Sequence, residues 1–329
     1  MALTARITLT GPPAESPEDY LSSALGVIFP DDVMNQHGDA EHGLLYTSPH
    51  LPKPLHISLS DPVAEDDRRL FSHYLWNASL LLAELIEAGT LGLPQEGSAP
   101  TGGRSSSPPI AVVGGQGKRL CEPLSDFSIT GLSTLELGAG TALPSLLCAL
   151  LGARRVVVSD YPSDPVLANL RANVARNVQP ERSPLGEATS TEVTGHEWGD
   201  FKSPSTEVAG HRLDASMLRG AFDRVLVADC LWMPWQHDPL RRSIAWFLRD
   251  DDNARAWVVA GFHTGRAKMR GFFDGEALAA VGLEVERMWE RDCDGWEREW
   301  AWDRGGEDTD MGVRKRWLVV AVLRRLRGS

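Results

Sequence analysis

The feature that most constrains this sequence is a regular alternation that begins near Leu132. Short apolar segments that suit β-strands alternate with segments whose apolar residues recur at helical spacing. Strands are predicted at 132–137, 155–159, 192–197, 224–228, 256–262, 283–288 and 317–323, and helices at 143–151, 165–178, 238–248 and 271–281. Such alternation predicts an open α/β sheet, mostly parallel and covered by helices on both faces. No helix separates the last two strands, so they are expected to form an antiparallel closing hairpin.

The chain ahead of this pattern is organised differently. Residues 1–70 are predicted to be an N-terminal lead-in with two short β-like runs, at 44–47 and 55–59. Apolar residues at helical spacing over 71–87 predict an amphipathic helix that opens a larger domain, 71–329. Residues 94–118 are dominated by Gly, Ser and Pro. Because such a segment buries too little apolar surface to offset its ordering entropy, we predict a disordered insertion there.

Charge and cysteine content narrow the class of protein. The 329 residues carry a formal net charge of −12, which argues against a nucleic-acid backbone as partner and suits a neutral or cationic one. The four cysteines are far apart, so neither a metal site nor a disulfide framework is indicated. No apolar run approaches the ~18 residues that a membrane helix needs. We therefore expect a cytoplasmic protein that binds neither nucleic acid nor membrane.

The strongest local signal is a glycine loop followed by an acid. The strand at 132–137 ends in Gly138-Ala139-Gly140, where glycines let the backbone turn tightly and approach a ligand. Asp160 ends the next strand, 22 residues after Gly138, where a carboxylate can accept hydrogen bonds from both ribose hydroxyls. Together these residues favour a ligand that contains adenosine. The alternative is a tight turn in which Asp160 only caps the following loop.

The loop also distinguishes between adenosine ligands. A dinucleotide fingerprint requires a third glycine, and Leu143 stands in that place. A ligand without phosphates does not need that glycine, and Glu136 suits a loop in which an acid stands near an amino-acid group. The pattern thus favours S-adenosylmethionine as cofactor. A nicotinamide-dependent oxidoreductase and a non-catalytic binding module remain as alternatives.

Further motifs occur in order along the chain: Leu75-Trp76-Asn77-Ala78, Leu135-Glu136-Leu137-Gly138-Ala139-Gly140, Val158-Ser159-Asp160-Tyr161-Pro162, Glu197-Trp198-Gly199, Ala228-Asp229-Cys230-Leu231-Trp232 and Gly261-Phe262-His263. In these motifs the sequence resembles the seven-strand lysine methyltransferases often called methyltransferase family 16. It is most similar to a fungal nicotinamide-N-methyltransferase-like branch, related to the enzyme that methylates the N-terminus and a nearby lysine of elongation factor 1A. The resemblance implies a Rossmann-like, seven-stranded methyltransferase sheet.

The resemblance also implies a set of residues that contact the cofactor. By it, Trp76 would lie over the cofactor, Asp160 would hold the ribose, and Trp198 would pack beside the adenine. Trp76 and Trp198 would otherwise be ordinary core residues. The full set is Trp76, Glu136, Gly138, Ala139, Gly140, Asp160, Tyr161, Trp198 and Ala228.

The acceptor end of the site is expected at Asp229 and Trp232, which we predict to be catalytic. The family usually has Tyr or Phe where this chain has Trp232, so the acceptor slot is expected to be reshaped. Asp229 would orient an amine, and Trp232 and Trp235 would hold an alkylated cation through cation–π contact. His237 and His263 follow strand ends and are secondary candidates; the alternative for each is a hydrogen-bonded scaffold residue.

The segment 290–310 is strongly acidic. Its nine acids and three arginines give 9 − 3, or six net negative charges, and Trp296, Trp300 and Trp302 lie within it. Such a segment would steer a lysine-rich or amine acceptor. The alternative is a solvated insertion whose tryptophans pack onto the sheet.

These observations predict a monomeric, S-adenosylmethionine-dependent N-methyltransferase without a metal. The expected acceptor is a protein lysine or N-terminal amine, for example on a translation factor. A small amine, nicotinamide-like or other, is the alternative acceptor.

Overall fold

The computed structural model describes residues 2–11, 34–39, 42–60, 74–93, 124–202 and 215–327. The insertion predicted at 94–118 lies outside these ranges, as do the first three residues of the helix predicted at 71–87. Within the described ranges, no helix is long and apolar enough to span a bilayer.

Thirteen strands and eight α-helices occur in the described part of the chain. The strands are β1 (Ile7–Thr10), β2 (Gln36–His37), β3 (Gly43–Tyr46), β4 (Leu55–Ile57), β5 (Leu75–Trp76), β6 (Ser133–Leu137), β7 (Arg155–Asp160), β8 (Thr191–Gly195), β9 (Arg224–Ala228), β10 (Arg255–Gly261), β11 (Leu283–Asp292), β12 (Glu297–Glu299) and β13 (Trp317–Arg325). The helices are α1 (Asn77–Leu91), α2 (Leu143–Leu150), α3 (Asp164–Asn177), α4 (His237–Phe247), α5 (Arg266–Met269), α6 (Gly275–Ala279), α7 (Gly306–Thr309) and α8 (Met311–Arg316).

The main sheet has the order β12-β11-β13-β10-β9-β6-β7-β8. The five strands from β10 to β8 are parallel, and β13 pairs antiparallel with both β10 and β11. The α/β class, the mostly parallel sheet and the closing hairpin are therefore confirmed. The predicted count of seven strands was wrong by one: a turn after β11 returns the chain, and β12 pairs with Trp289–Arg291 as a short edge strand.

The central strands are buried on both faces, as expected for a parallel sheet covered by helices. All five residues of β6 are buried, and so are five of the six in β7. Val156 and Val158 point into the core that includes α1, α2 and α3, whereas Val157 points into the core that includes α4. Because the sheet is packed on both faces, the ends of its strands are held in fixed positions. The candidate site lies at these ends.

The N-terminal residues add a second sheet, of order β1-β3-β4. Leu44, Tyr46, Leu55 and Ile57 are buried in the same core as the helices α1 to α3. Residues 3–10, expected to belong to a lead-in, form a 3-10 turn and β1, which pairs with β3. The β-like runs predicted at 44–47 and 55–59 correspond to β3 and β4.

Helix α1 begins six residues later than predicted because Leu75–Trp76 is an extended strand that pairs with β2. The Asn77 side chain secures this junction: its Nδ2 donates to the Met34 carbonyl at 2.8 Å, and its Oδ1 lies 2.7 Å from His37 Nε2. The helix ends at Gly92, whose left-handed φ of 65° closes its last turn. The junction holds Trp76 in place ahead of the helix.

Candidate functional site

A cleft with a cavity volume of about 130 Å³ opens at the carboxyl ends of β6, β7, β8 and β9. This is where open α/β sheets bind ligands. The cleft is lined by Tyr74, Trp76, Ser79, Gly138, Ala139, Gly140, Thr141, Asp160, Tyr161, His196, Glu197, Trp198, Ala228, Asp229, Cys230, Trp232, Met233 and Gln236. All predicted site residues except Glu136 are among them.

The glycine loop forms the floor of the cleft. Gly138 and Gly140 have left-handed φ values of 66° and 54°. A Cβ on Gly138 would lie 2.7 Å from Cys230 Sγ and 2.9 Å from Trp198 Cζ2, which is closer than packed atoms tolerate. Gly138 is therefore required both by its backbone conformation and by the close packing of its neighbours.

Asp160 holds the loop and also faces the cleft. Its Oδ2 accepts a hydrogen bond from the Gly140 N–H at 2.7 Å, and its Oδ1 accepts one from the Tyr161 N–H at 2.7 Å. Burial raises the pKa of Asp160, and the two N–H donors partly oppose that shift. Each carboxylate oxygen has a second lone pair, so Asp160 can accept ligand hydroxyls while it caps the loop.

Glu136 lies behind the loop rather than in the cleft. It is fully buried, and its Oε2 accepts hydrogen bonds from the Ser145 N–H at 3.0 Å and from the Ser145 hydroxyl. Its Oε1 has no hydrogen-bond partner among the described residues. Burial raises the pKa of Glu136 to about 8. The structure thus places this acid as an anchor for the start of α2, and its direct contact with a cofactor stays a prediction.

Aromatic rings form the walls of the cleft. Trp76 and Trp198 are half-buried and line the cleft instead of lying wholly within the core. Trp198 follows His196, whose Nε2 lies 3.0 Å from Ser243 Oγ, and the same hydroxyl accepts the Gly199 N–H at 2.9 Å. Burial lowers the pKa of His196 to about 4, so the ring is neutral and suited to this bond. Ser243 therefore fixes the loop that presents Trp198.

The predicted acceptor residues Asp229 and Trp232 lie in the same cleft, directly after β9. Asp229 is buried and has a left-handed φ of 58°, a conformation uncommon outside glycine. Its Oδ1 accepts the Gly261 N–H at 3.2 Å and lies 3.9 Å from His263 Nδ1. Burial raises the pKa of Asp229, and the nearby His263 opposes that shift.

The remaining candidates separate into two groups. His237 is buried and its Nε2 lies 2.9 Å from the Leu231 carbonyl oxygen, which fits a scaffold residue. Trp235 is 71% exposed and does not line the cleft. His263, in contrast, is placed beside Asp229, and its ring stacks on Trp76 with centroids 4.8 Å apart. Of these three residues, His263 is the one whose ring lies beside the Asp229 carboxylate.

Most acids of the segment 290–310 take part in internal contacts. Glu290 is fully buried and pairs with Arg266 at 2.7 Å, Arg298 at 2.7 Å and Arg304 at 3.1 Å. Arg266 also pairs with Asp308 at 2.8 Å. Trp300 packs against Phe262 and Phe273. This arrangement favours an insertion packed onto the sheet over a free acidic lip. Carboxylates that are paired with arginines attract a cationic acceptor less strongly than unpaired ones do.

Several lining residues were not singled out as site residues from the sequence. Tyr74, Ser79 and Thr141 come from segments beside the predicted motifs, and His196 is adjacent to the Glu197-Trp198-Gly199 motif. Met233 and Gln236 follow the acceptor motif and complete the wall. All of these residues could have been found from their position next to a motif. Ser243, on α4, also supports the site, but no sequence signal pointed to it.

Comparison with known proteins gives relatives of one kind. No protein-family model matches the chain. Over 175 residues it is 32% identical to the protein N-terminal and lysine N-methyltransferase EFM7 of Yarrowia lipolytica, covering 49% of this chain and 59% of that protein. It is 30% identical over 190 residues to the efm7 protein of Emericella nidulans, covering 58% of each. The predicted resemblance to this group is confirmed.

The chain spans less than two thirds of the length of these two relatives. Among solved structures, a candidate SAM-dependent methyltransferase from Streptococcus mutans aligns with a TM-score of 0.46 at 11% identity. That alignment covers 93% of this chain and 65% of the other. A second candidate methyltransferase, complexed with SAH, gives a TM-score of 0.46 at 12% identity, with the same coverage of 93% and 65%.

Proposed function

We propose that this chain is an S-adenosylmethionine-dependent N-methyltransferase that acts on a protein lysine or N-terminal amine. The observation that carries the proposal is the joining of two sets of residues in one cleft. The glycine loop, Asp160 and Trp198 suit an adenosine ligand, and Asp229 and Trp232 lie beyond Ala228 in the same space. The names of the relatives, protein N-terminal and lysine N-methyltransferases, support the same chemistry.

The residues of the cleft fit this cofactor in three respects. Gly138 lets Trp198 and Cys230 pack against the loop at distances that a Cβ would forbid, which brings the walls and the floor of the cleft close together. Thr141 lines the cleft, and its buried hydroxyl oxygen has no hydrogen-bond partner among the described residues, so it retains the capacity for a further hydrogen bond. The buried carboxyls of Asp160 and Asp229 favour a ligand that brings positive charge, and a sulfonium with an ammonium group does so.

The bound cofactor would supply a methyl group on a sulfonium, and the chain would supply alignment. Asp229 would accept a hydrogen bond from the acceptor amine and fix its direction. Trp76 and Trp232 would exclude water and stabilise a cationic amine by roughly 0.5–2 kcal/mol through cation–π contact. The left-handed backbone at Asp229 is uncommon for a residue with a side chain, and such conformations cluster at functional sites.

A protein acceptor is favoured over a small amine by the relatives' printed activity and by the net charge of −12, which suits a basic partner. We propose a translation factor as the first acceptor to test, on the resemblance described above, with the enzyme acting as a monomer. The branch's nicotinamide label keeps a small amine as the second candidate.

The test is to incubate the purified protein with methyl-labelled S-adenosylmethionine and a cell lysate, and then to separate protein from small molecules. Label in the protein fraction is the expected result. Asp229→Ala should abolish that transfer while S-adenosylhomocysteine still binds, because Asp229 belongs to the acceptor end. Asp252→Ala is the matched control, since the Asp252 side chain is 81% exposed and lies ahead of the first residue of β10, whereas the predicted acceptor residue Asp229 lies beside the last.

Three outcomes would contradict the proposal or one of its parts. Label only in the small-molecule fraction would assign a small amine as acceptor. Binding of a nicotinamide dinucleotide, without binding of S-adenosylmethionine, would favour an oxidoreductase. Full transfer by Asp229→Ala would remove the role assigned to that carboxylate.

A further inference from the structure

We propose that His263 pairs with Asp229 as the route by which the acceptor ammonium loses its proton. This inference rests on the proposed function and assigns a positioning and proton-accepting residue to the same site. His263 does not line the cleft itself, so it would act through Asp229.

The local geometry is built around this approach. His263 Nδ1 lies 3.9 Å from Asp229 Oδ1, although the two residues belong to turns after different strands, β10 and β9. Gly261 lies against this pair: a Cβ there would be 3.1 Å from His263 Nδ1, a tight contact, and 4.0 Å from Asp229 Oδ1, an ordinary one. The Gly261 N–H in turn donates to Asp229 Oδ1 at 3.2 Å. A backbone donor thus fixes the carboxylate that faces the imidazole.

A second contact fixes the plane of the imidazole. The His263 ring stacks on Trp76 with centroids 4.8 Å apart and an interplanar angle of 21°. Trp76 is held by the pairing of β5 with β2. The His263 side chain is 16% exposed, whereas that of Asp229 is 6% exposed. The pair therefore connects a buried carboxylate in the cleft with an imidazole that reaches solvent.

The chemistry requires such a route. A lysine amine has an ordinary pKa near 10.4, so at neutral pH it arrives protonated and without a lone pair for attack. The ammonium N–H bond breaks and its proton passes to an Asp229 oxygen, which leaves the amine lone pair free. The proton then passes from that oxygen to His263 Nδ1 and from the imidazole to water. The 3.9 Å separation must close to about 3 Å for the second transfer, as catalytic hydrogen bonds do when a substrate is bound.

The other charged groups near His263 do not replace Asp229. Arg266, on the following helix, is held by Glu290 at 2.7 Å and by Asp308 at 2.8 Å. Arg314, on α8, reaches within 3.4 Å of a Cβ placed on Gly265. Tyr74 contacts Trp76, the residue on which His263 stacks, and their ring centroids are 6.2 Å apart. Within the described residues, Asp229 is the acid that lies within 4 Å of the His263 ring.

The first experiment measures the Asp229 carboxyl directly and needs no acceptor. In the full chain with S-adenosylhomocysteine, the carbon-13 carboxyl signals of aspartate are titrated in the wild type and in His263→Asn. The pKa of Asp229 should rise in the variant, because the imidazole that opposes its shift is gone. His56→Asn is the matched control, since His56 is exposed and lies in the N-terminal sheet. An unchanged Asp229 titration in His263→Asn would overturn the proposal.

The second experiment measures methyl transfer into the labelled protein fraction across pH. His263→Asn should lower kcat by ~100-fold, which is the usual contribution of a proton-transfer residue, with little change in KM. The acid limb of the pH profile should also change. In His263→Gln the side chain can hydrogen-bond Asp229 but cannot carry the proton. This variant should therefore keep the fold without restoring the wild-type pH dependence of methyl transfer. A uniform loss at every pH in both variants would show a purely structural role.

The two experiments separate the two proposals. If the wild type transfers no methyl group, the proposed function fails while the carboxyl titration still tests the pair. If transfer occurs and His263→Asn retains the wild-type rate and pH profile, the pair fails and the methyltransferase assignment stands.

Discussion

At the scale of single residues, Gly138 makes the most direct prediction. Gly138→Ala should weaken S-adenosylhomocysteine binding by at least ~10-fold, equivalent to ~1.4 kcal/mol, because its Cβ would displace Trp198 or Cys230. Isothermal titration calorimetry measures this. Gly131→Ala is the control, since Gly131 has a similar φ of 70° but open space around it. Gly131→Ala should lower stability without weakening binding, and equal affinity losses in both variants would contradict the steric explanation.

Residues whose role follows from local chain geometry were predictable. Gly138 and Asp160 were found from the sequence because a strand end, a tight turn and the spacing to the next strand are all encoded within a short segment. Glu136 was assigned to the cofactor on the same reasoning, yet its side chain turns to Ser145 behind the loop. Which way a side chain turns depends on packing with α2, and a linear motif carries no information on that.

At the scale of elements, the N-terminal sheet is held by helix α3 through an unusual contact. Asn177 accepts the His56 N–H and donates to the His56 carbonyl, both at 2.8 Å. Asn173 accepts the Ser58 N–H at 2.8 Å and donates to the Ser58 carbonyl at 2.9 Å. Two side-chain amides, one helical turn apart, thus pair with the open edge of β4 as a neighbouring strand would.

Replacing both asparagines, in Asn173→Ala with Asn177→Ala, should therefore lower the free energy of unfolding by roughly 2–4 kcal/mol. The reason is that the partly buried backbone groups of His56 and Ser58 would lose their partners. Urea denaturation measures the loss, and hydrogen exchange should increase at β3 and β4 before the main sheet. Gln179→Ala removes an exposed amide hydrogen bond from the same helix end and should cost far less. Equal losses in the two proteins would contradict the pairing.

Elements were predicted best where the hydrophobic pattern determines burial. The parallel strands followed from apolar runs, and the closing hairpin from the expectation that no helix separates the last two strands. That expectation was wrong, since the short helices α7 and α8 lie between β11 and β13, but the two strands still pair antiparallel. The edge strand β12 was not predicted, because its residues Glu297–Glu299 are charged and are kept in the sheet by pairing with β11 and by the ion pairs of Arg298. Ion pairs between distant residues, such as Arg266 with Glu290, are tertiary contacts that leave no period in the sequence.

At the scale of the whole molecule, buried titratable groups of opposite kinds set the pH dependence of stability. Burial raises the pKa of Glu136 to about 8, from an ordinary value near 4.5. A raised folded-state pKa contributes stability that is complete below the unfolded value, near pH 4.5, and is lost as pH rises toward 8. Burial lowers the pKa of His196 to about 4, from 6.5, so its contribution is complete above pH 6.5 and is lost as pH falls toward 4. The two effects oppose each other between about pH 4.5 and pH 6.5, and above pH 6.5 only the Glu136 loss continues.

The protein without cofactor should accordingly have its highest Tm in mildly acidic solution, and the Tm should fall between about pH 6.5 and pH 8 as Glu136 is forced to ionise. One group that is coupled over that interval is worth ~2 kcal/mol, or a shift of several degrees. Differential scanning fluorimetry across pH measures it. Glu136→Gln cannot ionise and should flatten the alkaline side, whereas the exposed Glu181→Gln should leave the wild-type curve. An alkaline fall in Glu136→Gln as steep as in the wild type would show that another group controls this limb.

S-adenosylmethionine brings positive charge near the buried carboxyls, so it should raise the Tm more at pH 8 than at pH 6. At equal saturation it should also raise the Tm more than neutral S-adenosylhomocysteine does.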